Sequence, residues 1–528
     1  MNDNRCKPET NKTMSRRGLL GASGLVLGAA TLGASTPMQS ALASVPDRVC
    51  GGDLPSSWDD TADVIVVGYG GAGATAAVFA ARAGVRVLIL EAQSHGGGSS
   101  AINDGALTVG GGTRVQKANG FNETPEEFYK YLKAAALPRA PDELVRAFAE
   151  TARDLFDFVE SLGVVFKEGY VPGYHMQPPD PEKIGLLMIT GENAPDVAEV
   201  TPPVPHTHLI FGRAPAYWAR ISAAVEAAGV KVLLNTQATR LIVDGGGRVV
   251  GVGVAQEGGA EKCYRATRGV LLSSGGYGAN KDMVAQYTPY ALGTLQVTNP
   301  MDLGTGIRLG QAVGADVLGL STCSIELLLN YRQGTEVMVK GVAVNQAGRR
   351  FVSETADGSH FGKLVYERVY PKIHVIVDER IMASVPVESR STMAVTKADT
   401  IEELATVIHV DPRCLNDTLA TYNQHVRYGA DAEFQKDPAQ LQMIDAPPFY
   451  ALTLSAEDVF TVTCGGLRIN AKAQVVSTTG NVIPGLYAAG MTAAMFCGEY
   501  YRGGTSTSLS QVFGRIAGIE MAKEASHV

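Results

Sequence analysis

The sequence contains few cysteines, and none of them are spaced as metal ligands. It has seven in 528 residues, and no two form Cys-x-x-Cys, so there is no signature of an iron–sulfur cluster, a structural zinc site or a c-type haem. The chain also lacks a basic excess: its formal net charge is −8 and its pI is about 5.7. These absences argue against binding to metals, nucleic acid or anionic lipid. Any electrons that the protein handles must therefore pass to or from a separate partner.

Long apolar runs are missing as well. Beyond the first fifty residues no stretch is long enough to cross a bilayer, so we expect no integral membrane segment in the mature chain. The composition is that of a large globular protein, with 45% apolar residues and 60 glycines. This length and apolar content predict more than one domain, and glycine is frequent where backbone must approach a ligand closely.

The first residues have the features of an export signal. Arg16 and Arg17 precede the weakly apolar stretch GLLGASGLVLGAATLGAS, and Ala41 and Ala43 then supply small residues for a signal peptidase. This order resembles a twin-arginine signal, although an unremarkable basic N-terminus is the alternative. We therefore exclude residues 1–43 from the fold and expect a periplasmic or other extracytoplasmic protein.

The strongest motif lies in DVIVVGYGGAGATAAVFAARAGVRVLILEA, residues 63–92. It predicts a strand, a glycine turn, an alanine-rich helix and a second strand that ends in Glu91. Gly68, Gly70 and Gly73 have the G-x-G-x-x-G spacing, which permits a tight turn, close approach to a diphosphate and close helix–strand packing. The helix N-terminus favours phosphate, and Glu91 can accept hydrogen bonds from ribose hydroxyls. The segment predicts a dinucleotide-binding domain.

A Gly/Ser-rich stretch, AQSHGGGSSAINDGALTVGGGT, follows directly. It can enclose the rest of a larger cofactor, with Ser99 and Ser100 as donors; a flexible surface loop is the alternative. The passage resembles the flavoprotein family of fumarate reductase and succinate dehydrogenase flavoprotein subunits, urocanate reductases and 3-ketosteroid dehydrogenases, which bind FAD through this pattern.

The resemblance covers nearly all of the mature sequence. TRGVLLSSGGYGAN, LGTGIRLGQAVGADV, KGVAVNQAGRRFVSET, TCGGLRIN and IPGLYAAG each match a family motif. It implies an α/β fold in which a discontinuous Rossmann-like FAD-binding domain, residues 58–298 and 460–528, carries an inserted α+β cap at 299–459. The loss of βαβ periodicity in the middle of the chain agrees with this division.

The resemblance also implies the cofactor contacts. They are Gly68, Gly70, Gly71, Ala72, Gly73, Glu91, Gly98, Ser99, Ser100, Gly105, Ala238, Gly490, Ser506 and Thr507. Covalent attachment in this family uses a histidine just before a serine-rich turn. The sequence around His95 is a poor match to that arrangement of a histidine and a serine-rich turn. We therefore expect FAD to be bound non-covalently.

The segment CGEYYRGGTSTSLSQVFGRIAG, residues 497–518, supplies the candidate catalytic residues. By resemblance, Tyr500 stands where 3-ketosteroid dehydrogenases keep a carbonyl-binding tyrosine, and Gly504 stands where a backbone N–H assists it. Tyr501 replaces the arginine with which fumarate reductases hold a substrate carboxylate, and Arg502 is one place out of register. The family's second catalytic arginine is also missing from RRFVSETADGSH. Aromatic packing beneath the cap is the alternative role for both tyrosines.

These residues predict dehydrogenation next to a ketone, of a steroid-like or alicyclic compound. A phenol that donates to the ketone oxygen acidifies the neighbouring C–H, while flavin N5 accepts hydride from the β-carbon. The base is not identified, because Gly358 stands where the resemblance places a tyrosine; Tyr331, His360 and Tyr366 are candidates.

Two alternatives remain open. One is an ene-reductase of an unsaturated carboxylic acid that uses Arg502, Arg213 or a histidine for the carboxylate. The other is a flavin-binding electron carrier without catalysis. His206 and His208 are candidate cleft residues, with structural roles equally open. The expected partners are a small-molecule substrate and an electron donor or acceptor such as a quinone or a redox protein.

Overall fold

A computed structural model describes residues 54–527, except 137–139, 174–177, 190–191, 193–194, 256–260, 328–334, 356–371, 386–389, 391–394, 456–458 and 495–503. The strands are β1 Asp60–Val67, β2 Val87–Leu90, β3 Ala106–Thr108, β4 Gly169–Tyr170, β5 Ile184–Leu187, β6 Thr207–Leu209, β7 Lys231–Leu233, β8 Gln237–Val243, β9 Val249–Ala255, β10 Lys262–Leu272, β11 Leu295–Gln296, β12 Val317–Leu318, β13 Cys323–Leu327, β14 Val342–Val344, β15 Lys372–Asp378, β16 Val395–Ala398, β17 Phe449–Ser455, β18 Val459–Thr463, β19 Gly466–Leu467, β20 Gln474–Val476 and β21 Val482–Ala488. The helices are α1 Gly71–Arg82, α2 Arg114–Ala118, α3 Pro125–Tyr131, α4 Asp142–Ser161, α5 Pro195–Ala198, α6 Arg213–Ala227, α7 Lys281–Tyr287, α8 Thr305–Ala312, α9 Thr335–Lys340, α10 Glu379–Ala383, α11 Ile401–Val407, α12 Pro412–Tyr428 and α13 Thr505–Lys523.

The largest sheet has the strand order β20-β21-β10-β1-β2-β7, and β9 joins β8 to β10. The central strands β10, β1, β2 and β7 are parallel. The Val, Ile and Leu side chains of β10, β1 and β2 are buried on both faces, which is the pattern of a parallel sheet covered by helices. The predicted strand–turn–helix–strand unit is therefore present, and β1 begins a few residues before the predicted start.

Helices α1 and α13 pack closely against each other beside this sheet. A Cβ added to Gly514 would lie 2.4 Å from the Ala72 carbonyl oxygen, and one added to Gly518 would lie 2.3 Å from that of Ala76. The small residues therefore allow the two backbones to approach within a distance that any side chain would prevent.

In the part of the chain that the structure describes, four smaller sheets accompany the main one. The sheet β3-β6-β5-β4 lies within residues 106–209, and the antiparallel sheet β14-β15-β17-β16 lies within residues 342–455, in the predicted cap. Strand β18, which pairs with β11 and β13, begins at Val459, where the chain is predicted to return to the first domain. Parallel and antiparallel sheets with helices confirm the α/β class.

A buried ionic cluster ties the RRFVSE motif to the rest of the predicted cap. The Arg350 guanidinium lies 2.7 Å from a Glu354 carboxylate oxygen and 2.8 Å from one of Asp431, and the Lys436 ammonium lies 3.4 Å from Glu354. Burial opposes the charge on Asp431, but Arg350 outweighs it and lowers the pKa of that carboxyl to about 2. Because removing one partner would leave a buried charge uncompensated, this motif is structural.

The described ranges contain neither a membrane-spanning helix nor a metal-binding cluster. None of the helices found there is long and apolar enough to cross a membrane. Within the same ranges, no three His, Cys, Asp or Glu side chains are grouped so that they could hold a metal ion.

The α1–α13 contact leads to a stability prediction. Gly518→Ala should lower the free energy of unfolding by about 1–3 kcal/mol through overpacking, although alanine is the better helix former by about 1 kcal/mol. Urea unfolding of the two proteins measures the difference. Gly245→Ala, in a turn with no atom within 4 Å of the added Cβ, is the control and should change stability by less than about 0.5 kcal/mol. A stabilised Gly518→Ala protein would contradict the close packing.

Candidate functional site

A cleft of about 880 Å³, which includes its open mouth, lies at the carboxyl ends of β1, β2 and β10. In an open α/β sheet this edge is the usual ligand crevice. The lining residues come from widely separated segments of the chain. They are Val67–Ala72, Leu90–Gln93, Gly98–Ser100, Thr236–Ala238, Ser273–Gly275, Asn299, Met301, Asp302, Thr305, Gly490, Met491 and Ser510.

The glycine turn places the N-terminus of α1 on this cleft. Gly73 must lack a side chain, because an added Cβ would lie 2.1 Å from the Gly68 carbonyl oxygen. Helix α1 begins at Gly71 with no side-chain cap and no acidic residue in its first turn. Apart from the Gly71 N–H, which donates to Ser100, the N–H groups of the first turn and the positive end of the helix dipole therefore favour an anionic group, such as a diphosphate, at this point.

Glu91 lies at the end of β2, and its carboxylate is held by backbone donors. One oxygen accepts the Tyr69 N–H at 2.8 Å and the other accepts the Gln93 N–H at 2.8 Å. Each oxygen keeps further acceptor capacity toward the cleft, where a ribose could donate its hydroxyls. The carboxylate thus joins the glycine turn to the strand that follows it.

The Gly/Ser-rich stretch forms the opposite side of the same cleft. Its turn Gly98–Ala101 brings the Ser100 hydroxyl within 3.0 Å of the Gly71 N–H, which donates to it. The stretch is therefore packed against α1, and the alternative of a flexible surface loop is not supported.

Most of the predicted cofactor residues meet in this cleft. The ones that line it are Gly68, Gly70, Gly71, Ala72, Glu91, Gly98, Ser99, Ser100, Ala238 and Gly490. Gly73 and Gly105 lie behind it, Gly105 against the Arg213 backbone. Ser506 and Thr507 lie in the first turn of α13, where Asn103 donates to the Thr507 hydroxyl at 3.4 Å. Which atoms of a cofactor each residue touches stays a prediction.

Of the predicted catalytic residues, Tyr500, Tyr501 and Arg502 lie outside the described residues, so their roles stay predictions. Gly504 is described and precedes α13 in a left-handed conformation with φ of 81°. Its carbonyl oxygen accepts the Thr108 N–H at 3.4 Å. The start of α13 is thereby fixed to β3. The candidate bases Tyr331, His360 and Tyr366, and Gly358, also lie outside those ranges.

Gly504 lies beside one polar and one apolar side chain. A Cβ on Gly504 would lie 3.0 Å from the Thr108 hydroxyl oxygen and 3.2 Å from the Ala106 Cβ. Ala106 belongs to a buried group, here named the apolar seam, in which the small sheet meets helix α9 of the predicted cap. The seam consists of Ala106, Leu187, Ile189, Leu209 and Val339.

His206 is fully buried and forms an ionic group with two carboxylates. Its Nε2 lies 2.7 Å from Glu123 and its Nδ1 lies 3.5 Å from Glu192, while its ring stacks on Tyr131 at 3.9 Å between centroids. Burial alone would lower the pKa of His206, but the two carboxylates outweigh burial and raise the pKa to about 9. The protonated ring is therefore part of the core.

His208 is also buried, but it is neutral. Burial lowers the pKa of His208 to about 3. Its Nδ1–H donates to the His206 carbonyl oxygen at 2.9 Å, so its Nε2 accepts from the Thr113 hydroxyl at 2.8 Å. Both histidines thus have structural roles, one of the two possibilities that the sequence left open.

Sequence reasoning missed the segment Asn299–Asp302, which crosses the cleft. The Asn299 side chain donates to Gln93 at 3.0 Å, and the Ser99 hydroxyl donates to Asp302 at 3.1 Å. The only feature of the local sequence was an acidic residue, Asp302, immediately before LGTG. Its partners are about 200 residues away in the sequence, so the motif itself does not reveal them.

Together, the glycine turn, the N-terminus of α1 and the oriented Glu91 carboxylate define a dinucleotide-binding site. A family model described as FAD binding domain matches residues 63–508 of the chain. The chain therefore belongs to this family, and the predicted recognition is confirmed.

Individual proteins are similar over most of the chain. The crystal structure of 3-ketosteroid Δ4-(5α)-dehydrogenase from Rhodococcus jostii RHA1, in complex with 4-androstene-3,17-dione, superposes with a TM-score of 0.82 and 31% identity, over 89% of this chain and 98% of that one. Fumarate reductase (cytochrome) of Shewanella frigidimarina is 25% identical, over 89% of this chain and 78% of its own length. NADH:acrylate oxidoreductase of Vibrio harveyi is 33% identical over 57% of this chain, which spans only 31% of that protein.

The residues of the cleft fit FAD. The N-terminus of α1 favours an anion such as a diphosphate, the oriented Glu91 carboxylate can accept from hydroxyl groups, and glycine and serine residues line the cleft. The predicted cofactor and the predicted class, an FAD-dependent oxidoreductase, are confirmed at this level.

The pKa of His206 leads to a prediction of pH-dependent stability. A pKa raised in the folded state contributes stability that is fully present below about 6.5 and is lost as pH rises toward 9. The free energy of unfolding should therefore fall by up to about 1.4 kcal/mol per pH unit in this window. Urea unfolding at several pH values measures it.

Two variants test the assignment. His206→Asn should remove most of this slope, whereas His409→Asn should retain it, because His409 is exposed and asparagine tolerates its left-handed φ of 60°. An equal slope in wild type and His206→Asn would show that the buried histidine is not its source.

Proposed function

We propose that the protein dehydrogenates a cyclic ketone between its α- and β-carbons, with a steroid-like or alicyclic compound as substrate. The observation that carries the proposal is the likeness to the 3-ketosteroid Δ4-(5α)-dehydrogenase, with 31% identity over 89% of this chain. The buried apolar seam near Gly504, at the start of α13, is consistent with it. A carboxylate substrate would need a cation at this position, whereas a polycyclic ketone needs apolar surface and one polar point.

The likeness to known proteins supports the same choice. The 3-ketosteroid dehydrogenase matches with 31% identity and along 98% of its own chain. The fumarate reductase is 25% identical, and 22% of its length has no counterpart here.

The proposed roles follow from the chemistry of each group. Tyr500 donates its phenolic proton to the ketone oxygen, and the N–H of Gly504 is a second donor. Within the described ranges this N–H has no hydrogen-bond partner. Two such donors stabilise the negative charge that develops on oxygen when the α-proton leaves, by about 3–4 kcal/mol. When bound, FAD supplies the acceptor for the hydride from the β-carbon. Tyr501 and Arg502 complete the proposed polar cluster.

The rival function is reduction of an unsaturated acid. Of the cations named for it, Arg213 donates to the Asp104 carbonyl oxygen at 3.3 Å, and its charge faces the Asp104 carboxyl. His206 and His208 are both committed to the core. Arg502 and a histidine such as His360 are left as candidates, and both of these residues lie outside the described ranges.

A substrate titration tests the proposal. Anaerobic addition of a saturated cyclic ketone, such as a 3-ketosteroid, should bleach the flavin absorbance of the purified protein. The alternative predicts no bleaching by any ketone, and reoxidation of the reduced flavin by an unsaturated carboxylic acid.

Tyr500→Phe should slow bleaching about 10²-fold or more through loss of the hydroxyl donor. Tyr428→Phe, at a 75% exposed tyrosine, is the control and should leave the rate unchanged. An unaltered rate in Tyr500→Phe would remove that hydroxyl from the mechanism.

We also propose that FAD is bound non-covalently. His95 is exposed, and its ring nitrogen lies 3.5 Å from the Ser94 hydroxyl, with no serine-rich turn directly after it. Acid precipitation should release the flavin into the supernatant; flavin that stays with the precipitate would contradict the proposal. The proposed electron partner is a quinone or a soluble redox protein.

Export by the twin-arginine route is proposed from residues 1–43, which lie outside the described ranges. Replacing Arg16 and Arg17 by lysine should leave the protein, with its FAD, in the cytoplasm. Cell fractionation measures the distribution, and undiminished export of the double variant would reject the assignment.

A further inference from the structure

A short segment, residues 299–302 and here named the strap, crosses the cofactor cleft and is bonded to its far side. The Asn299 amide side chain donates to Gln93 at 3.0 Å, and the Asn299 N–H donates to the Ser99 hydroxyl at 2.9 Å. Since that hydroxyl already accepts one hydrogen bond, its own proton is donated to Asp302 at 3.1 Å. The strap thus places a carboxyl group inside the cleft.

Asp302 is buried in a confined position. A Cβ added to Gly275, on the loop after β10, would lie 2.0 Å from the carboxyl oxygen Oδ1. The groups that act on this carboxyl are the Ser99 hydroxyl and the backbone of Gly276. In the described part of the chain, no cation faces it to balance a negative charge.

The position of Asp302 relates it to the diphosphate region of the cleft. Ser99, its donor, is followed by Ser100, whose hydroxyl accepts the N–H of Gly71 in the first turn of α1. This helix N-terminus is where a diphosphate is favoured. The Asp302 carboxyl therefore belongs to the same polar region as the anion-binding turn.

We propose that Asp302 is a protonation-dependent contact for the diphosphate-bearing part of FAD, and that binding of FAD takes up one proton at this carboxyl. The protonated carboxyl can donate its O–H to an oxygen of the cofactor. An ionised Asp302 would add a negative charge next to the two of the diphosphate, in a buried position with poor screening. FAD therefore selects the neutral form.

The electrostatics of the cleft agree with this geometry. Burial raises the pKa of Asp302 to about 6, against the lowering effect of its hydroxyl and backbone donors. Near neutral pH the carboxyl is therefore mostly ionised before FAD binds, and a proton must be taken from solution. The other titratable groups on the cleft are Tyr69 and Glu91, and Glu91 is held by two N–H donors.

Equilibrium titration of the full-length apoprotein with FAD, followed by flavin fluorescence between pH 5.5 and 8.5, tests the proposal. The dissociation constant should be nearly constant below pH 6 and should rise up to about tenfold per pH unit above it, because only the protonated fraction binds well. A constant value across this range would overturn the proposal.

Two variants locate the titrating group. Asp302→Asn resembles the neutral carboxyl in shape and should bind FAD with little pH dependence. His95→Gln removes the exposed histidine that precedes the Gly/Ser turn and should keep the wild-type slope. A slope that survives in Asp302→Asn, or one that disappears in His95→Gln, would overturn the assignment. Weaker binding of Asp302→Asn at every pH, with the slope intact, would mean that the strap is only structural.

Calorimetry provides a readout that does not depend on any variant. At pH 7.5, FAD binding to the wild-type protein in buffers of different ionisation enthalpy should show uptake of close to one proton. Uptake of none would contradict the proposal even if Asp302→Asn fails to fold.

Discussion

The hydrogen bonds between the Glu91 carboxylate and the N–H groups of Tyr69 and Gln93 are the constraint on which the site depends. They join the end of β2 to the glycine turn that begins α1. A charge-assisted hydrogen bond of this kind contributes about 1.5–3 kcal/mol, and here it also orients the carboxylate toward the cleft. The anion-favouring helix N-terminus and the Glu91 carboxylate, the predicted ribose acceptor, are thus held at a fixed separation.

Other elements connect this part of the site to the segment that carries the proposed catalytic residues. The Gly/Ser-rich stretch packs on α1 through Ser100, and the strap crosses above it through Ser99. Helix α13 lies against α1 with almost no space between the backbones, and its first residue follows Gly504. The position of the proposed catalytic segment therefore depends on the same helix that binds the cofactor. The apolar seam contains Ala106 of β3 and Val339 of α9, so the predicted cap packs next to Gly504 at this seam.

Much of the dinucleotide-binding part of the site could be predicted from the sequence, because its residues lie close together along the chain. The spacing of Gly68, Gly70 and Gly73, followed by Glu91, encodes a turn, a helix and a strand end within thirty residues. Asp302 could not be assigned in this way, since its role depends on Ser99, 203 positions away. His206 and His208 were ambiguous for the same reason: only the fold shows that Glu123, Glu192 and Thr113 surround them. The tyrosine pair at 500 and 501 is interpreted from resemblance alone.

The account is tested most directly by an experimental structure of the protein with FAD and a cyclic ketone bound. It predicts the adenosine ribose at Glu91, the diphosphate at the N-terminus of α1 and the isoalloxazine ring beside residues 500–504, with the ketone oxygen within hydrogen-bond distance of Tyr500. A structure in which residues 500–504 lie far from the flavin ring, or in which FAD occupies a different cleft, would contradict it.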